Sequence, residues 1–76
     1  MATTQSDLEN WFMYHPPRPN QVQRYEEIRS AAKSFAQLIC ASTPDGTERD
    51  QSIDCLRDSV MWANAGIACN ELSETT

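Results

Sequence analysis

A chain of 76 residues makes one domain at most, and a domain this small buries too little surface to be stable without a disulfide, a metal or a partner. Six Lys and Arg against 11 Asp and Glu leave a net charge of −5, which disfavours polymeric nucleic acid as a partner, and no apolar run approaches the roughly 20 residues of a membrane span. Cys40, Cys55 and Cys69 are odd in number, without paired spacing, and His15 is the sole histidine, so neither a disulfide framework, a metal site nor a cofactor is expected. The first residues carry neither a basic leader nor an apolar secretion run, and the chain reads as cytosolic and reduced. Oligomerisation is the supplement that remains.

In chain order, residues 1–10 are polar and expected to be flexible. Pro16, Pro17 and Pro19 then fix φ and hold an extended arm. Asn20 is placed to cap a helix, with Gln23 as its box partner. Tyr25, Ile28, Ala32, Phe35 and Ile39 follow at steps of three and four, the apolar stripe of a helix over about 20–42. Pro44 and Asp45-Gly46 stop it with turn chemistry, and Thr47 with Asp50 offers the cap of a second helix over about 47–71.

That second helix carries two stripes, Ile53, Leu56, Val60, Ala63 and Ile67, and beside them Cys55, Ser59, Trp62, Gly66 and Cys69. So short a connection makes the helices antiparallel neighbours, and a hairpin can close only one of the two stripes. The small residues around Trp62 let another helix approach closely, which also gives a reason for Gly66, a residue costing about 1 kcal/mol relative to Ala inside a helix. The expected architecture is all-α: a two-helix antiparallel hairpin over 11–72 with an extended amino-terminal arm, assembled into a helical homo-oligomer, and a flexible tail at 73–76.

The segment Phe12-Met13-Tyr14-His15-Pro16-Pro17 is followed by Gln21-x-x-Arg24-Tyr25-x-x-Ile28-Arg29, by Ala32-Lys33-x-x-Ala36, and after an acidic turn by Val60-Met61-Trp62-Ala63-Asn64-Ala65-Gly66-Ile67-Ala68. This series, from Phe12 to Glu71, resembles the hairpin domain of phage proteins that sequester cyclic-nucleotide immune signals, the anti-CBASS and anti-Thoeris sponges. The resemblance implies a non-enzymatic binder in the host bacterial cytoplasm that traps cyclic di- or trinucleotides or a cyclic ADP-ribose isomer. It also implies hairpins paired into assemblies such as hexamers, with ligand pockets between protomers. In relatives an arm aromatic and a lysine of the first helix contact the ligand, and the matching positions are Tyr14 or Phe12, and Lys33. Many relatives carry Ile-Ala-Arg-Asn-Glu where this chain has Ile67-Ala68-Cys69-Asn70-Glu71, so a cation is lost at the end of the second helix. Ligand preference and the number of pockets are therefore not carried over from those relatives.

A cyclic nucleotide needs planes for its bases and cations for its phosphates. Trp11, Phe12, Tyr14 and His15 supply stacking surface, and Arg18, Arg24, Arg29 and Lys33 stand close together against only Glu26 and Glu27. Arg29 and Lys33, four apart, share a helix face and can clamp one phosphate. Each has a plainer role. Phe12 and Tyr14 can staple the arm to the hairpin, His15 can satisfy a turn carbonyl, and Arg29 and Lys33 can pair with Glu26 or with a neighbour's acids. Trp62 reads as core or interface before ligand shelf, whereas Asn64 and Asn70 suit base edges and interface hydrogen bonds equally.

Catalysis is not expected, because His15 has no cysteine beside it and Asp54 and Asp58 read as a solubilising face. The competing class is an acidic helical interaction module that inhibits a host protein through its Trp62 stripe. Convergence of Arg24, Arg29 and Lys33 on one cavity favours the ligand-binding class; scattering into surface pairs favours the module.

Overall fold

The computed structural model describes residues 2–71, and among them three helices, α1 (Gln5–Trp11), α2 (Pro19–Ser42) and α3 (Thr47–Asn70), are the regular elements. The tail at 73–76 lies outside the described residues.

α1 falls where the sequence suggested a flexible leader. Its reason is a capping box: the Asp7 N–H donates to Thr4 Oγ1 at 3.1 Å while the Thr4 N–H donates to Asp7 Oδ2 at 3.0 Å, satisfying two amino-terminal donors. One long-range bond anchors it, Asn10 Nδ2 donating to the Cys69 carbonyl at 3.0 Å, one of the last carbonyls of α3 and short of an intrahelical partner.

α2 begins two residues earlier than the Asn20 cap would have it. Arg18 is the N-cap, Pro19 occupies the first turn, where a missing N–H costs nothing, and Gln21 Oε1 accepts from the Arg18 N–H at 3.1 Å. The helix ends at Thr43, whose N–H and hydroxyl both donate to the Ile39 carbonyl, ahead of Pro44. α3 starts on Gly46 as N-cap, and Thr47 is its first helical residue, so the anticipated Thr47 cap is displaced by one. Glu48 and Asp50 put negative charge in its first turn, where the helix dipole favours it.

α2 and α3 lie side by side, with the first turns of α2 against the end of α3: Gln21 Nε2 reaches the Ile67 carbonyl and Glu71 Oε1. The seam is rotated slightly from the predicted stripes. Ile28, Ala32, Ala36 and Ile39 face Ile53, Leu56, Val60, Asn64 and Ile67 with partial burial, while Phe35 and Ala63, both expected on the inner stripes, are exposed. The reason is geometric: seam positions follow the path of the partner helix, and small Ala36 permits closer approach than Phe35.

Among the described residues no apolar side chain is buried, and the most buried residue is the polar Gln21, 4% exposed. The shape accounts for this. The extents are 48 × 31 × 17 Å and the radius of gyration is 15.9 Å. A compact chain of this length would have a radius of about 11 Å. A layer one helix pair thick has no interior, so its apolar seam is wet along both edges.

Candidate anion-binding site

The cations that the sequence grouped together are divided by the fold. Arg24 Nη2 and Nη1 make a two-pronged contact with Glu71 Oε1 and Oε2 at 2.6 and 2.8 Å, Gln21 donates to the same carboxylate at 3.1 Å, and Arg18 donates to the Glu71 carbonyl. This polar clasp ties the start of α2 to the end of α3. The Arg24 guanidinium, and then the Gln21 amide, hold the Glu71 carboxyl at about 2, well below its ordinary 4.5. Arg24 was a candidate ligand contact; the fold places it in the clasp, away from Lys33.

Arg29 and Lys33 behave differently. Among the described residues neither makes an ion pair or a side-chain hydrogen bond, and Glu26, the partner sequence offered, lies nearby without pairing with them. Both line a cleft of about 300 Å³ between the two helices, floored by Ala32, Ala36, Ile53, Leu56 and Val60. The floor recedes because α2 presents only methyl groups there. Across the cleft stands Arg57 of α3, which the sequence reading passed over. Its signal was available: Arg57 flanks the inner stripe on the side opposite Trp62, next to Leu56 and four residues after Ile53.

On the other side of the seam Ala31, Phe35, Ser59 and Ala63 border an apolar groove that shares Ala32, Leu56 and Val60 with the cationic cleft. One pair of helices thus has a charged edge and an apolar edge. The apolar edge is continued by a notch of about 540 Å³ lined by Trp11, Trp62, Ala65, Gly66, Cys69 and Asn70.

The stripe assigned to a subunit contact is open in the protomer. Cys55, Ser59 and Trp62 are exposed, Trp62 at 77%, and Gly66 and Cys69 are half-buried. A methyl group added at Gly66 would meet nothing within 4 Å, so packing inside the protomer gives no reason for that glycine. In the arm, Phe12 and Tyr14 are 84% and 79% exposed and do not staple it to the hairpin. His15 Nε2 contacts the Asn10 carbonyl at 2.7 Å; since a carbonyl only accepts, this nitrogen is the donor. The two amides part company. Asn70 is exposed at the Trp notch, whereas Asn64 sits in the α2–α3 seam with its Oδ1 enclosed and unpartnered among the described residues.

A profile of the family described as Acb2/Tad1, hairpin domain, matches residues 4–68. The chain belongs to this family. Its members are the anti-CBASS and anti-Thoeris sponges, known as non-enzymatic binders. The match takes in α1 and the arm as well as most of the helix pair. No curated protein and no solved structure gives a significant match to the chain. Among the described residues of this member, no helix is long and apolar enough to cross a membrane.

Proposed function

We propose that this protein is a phage anti-defence sponge that binds cyclic nucleotide second messengers in the host bacterial cytoplasm and holds them without cleaving them. The observation that carries the reading is the pair Arg29 and Lys33, unpaired among the described residues and set at the lip of an apolar cleft in a chain of the sponge family. Cations that a fold leaves without a carboxylate keep their hydrogen-bonding capacity for an incoming phosphate.

The stacking planes lie elsewhere. Tyr14 precedes α2, and Lys33 is 14 residues beyond Pro19 along that helix, a separation of roughly 20 Å at the α-helical rise. The arm of one protomer therefore serves the cleft of another, with Tyr14 or Phe12 on a base and Lys33 with Arg29 on a phosphate. Antiparallel hairpins joined through Trp62, Ser59 and Gly66 into a homo-oligomer, such as a hexamer, supply the second protomer. That assembly also covers the apolar surface that a lone hairpin leaves wet. Asn70, exposed beside the tryptophans, is the amide placed to read a base edge or bridge the contact.

Binding is stoichiometric, since a decoy succeeds by outcompeting the effector receptor and not by turnover. Calorimetric titration with a panel of cyclic dinucleotides, trinucleotides and cyclic ADP-ribose isomers tests it, followed by heat release and chromatography. Intact ligand recovered supports the sponge and names its signal; altered ligand refutes it. Absence of heat with every member favours the second reading, an acidic interaction module docking through exposed Met61 and Trp62.

A further inference from the structure

We propose that Arg57 is a third phosphate-binding residue, closing the Arg29–Lys33 cleft from α3 so that an anion is gripped by both helices of one protomer. The proposal deepens the sponge reading and rests on it for the identity of the ligand, although the anion site itself does not.

The cleft has charge on two banks and carbon on its floor. Arg29 and Lys33 rise from α2, Arg57 from α3, and Ala32, Ala36, Ile53, Leu56 and Val60 separate them. Three like charges around one apolar trough are unfavourable without a counter-ion, and a folded chain with an excess of acids could have supplied one. It does not do so firmly. Asp54 approaches Arg57 only to 3.7 Å, an i,i+3 contact between groups that are 76% and 64% exposed for Arg57 and Asp54 respectively, a geometry of negligible strength in water. The other described arginines are differently engaged: Arg18 and Arg24 in the Glu71 clasp, Arg49 with Asp45 at 2.9 Å. The loosely held cations are the ones that share the cleft.

The chemistry selects the ligand class. A planar guanidinium from each helix offers a fork to a phosphate oxygen pair, with Lys33 as a point charge beside them. The aliphatic floor rewards a ligand whose phosphate is carried on a less polar body, as a ribose phosphodiester is and free phosphate is not. Gripping from both sides also makes binding sensitive to the spacing of α2 and α3, which the Glu71 clasp holds at one end.

The test uses the full chain labelled with ¹⁵N-arginine, titrated with inorganic pyrophosphate and observed at the guanidinium Nε resonances. Arg29 and Arg57 are expected to shift together with one saturation curve. Arg57→Gln, at an exposed position, leaves helicity and oligomer mass as they were, weakens pyrophosphate about tenfold or more, and lowers the salt dependence of binding. Movement of Arg29 without Arg57, no shift of either, or equal affinity in Arg57→Gln overturns the proposal. The cyclic nucleotide panel is then run on both proteins. A member that binds the wild type and loses about tenfold in Arg57→Gln extends the grip to the true ligand class; equal binding overturns it. Pyrophosphate gripped by both arginines with no cyclic nucleotide bound upholds the anion site and refutes the sponge reading instead.

Discussion

Gly66→Ala separates the protomer from the assembly. In an isolated hairpin the new methyl group has open space on every side to 4 Å, so no clash opposes it and only the backbone gain remains. Replacing a mid-helix glycine by alanine is worth about 1 kcal/mol. For a chain of this size that amounts to a rise in Tm of about 4–8 °C. If a second copy closes over Gly66, the same methyl is forced into a filled contact and costs about 1–3 kcal/mol in each protomer. The expected result is the second: helicity retained, oligomer mass reduced at micromolar concentration in light scattering, and a Tm that falls on dilution. A Tm raised by the full propensity gain with unchanged mass would refute the placement of Gly66 in a subunit contact.

Trp62→Asp puts a charge on the same face and is expected to leave a monomer by light scattering, because desolvating an unpaired carboxylate costs several kcal/mol; unchanged mass removes Trp62 from the interface. Lys33→Glu is expected to abolish cyclic nucleotide binding by calorimetry, a loss of a hundredfold or more from removing about 1.5–3 kcal/mol of charge-assisted bonding and adding repulsion, with the far-ultraviolet circular dichroism unchanged. Asn64→Leu removes an enclosed, unpartnered amide oxygen and is expected to raise stability by about 1 kcal/mol in denaturant titration; a decrease would mean that a donor from a second copy reaches it. The Glu71 clasp gives a pH signature. Because the folded carboxyl sits at about 2 and its ordinary value is 4.5, its stabilisation is fully present above 4.5 and is lost as pH falls towards 2. The difference in Tm between wild type and Glu71→Gln is accordingly constant near neutrality and closes in that acid window.

The clasp and the cleft also explain why one basic cluster is divided in two. Arg18 and Arg24 belong to the first turns of α2, within reach of the end of α3, where carbonyls without intrahelical partners and Glu71 collect negative charge. Arg29 and Lys33 are further down α2, beyond the reach of Glu71, and meet instead the aliphatic middle of α3. Position along the helix thus decides which cations join the clasp and which stay unpaired among the described residues.

The sequence by itself determined the two long helices, their limits to within a residue or two, and the family. Periodicity of Ile28, Ala32 and Ile39, and the stops at Pro44 and Gly46, are local signals that no distant contact is needed to read. The motifs from Phe12 to Ala68 are contiguous words, legible without geometry, and the family profile agrees with them. The sequence likewise indicated a second stripe, which stands open in the protomer at Trp62.

Tertiary structure decided what depends on how α2 and α3 are laid against each other. A stripe defined by spacing of three or four leaves a choice between Phe35 and Ala36, or Ala63 and Asn64, and only the path of the partner helix makes it. The division of the arginines required knowing that Glu71, 47 residues from Arg24, lies beside it. Arg57 could join Arg29 and Lys33 only once two helices were placed edge to edge. The helix at Gln5–Trp11 depends on a seven-residue segment capped by Thr4 and Asp7, too short to be stable alone, and held by the reach of Asn10 to the end of α3. Spacing along the chain governs what a helix presents; the crossing of helices governs what it meets.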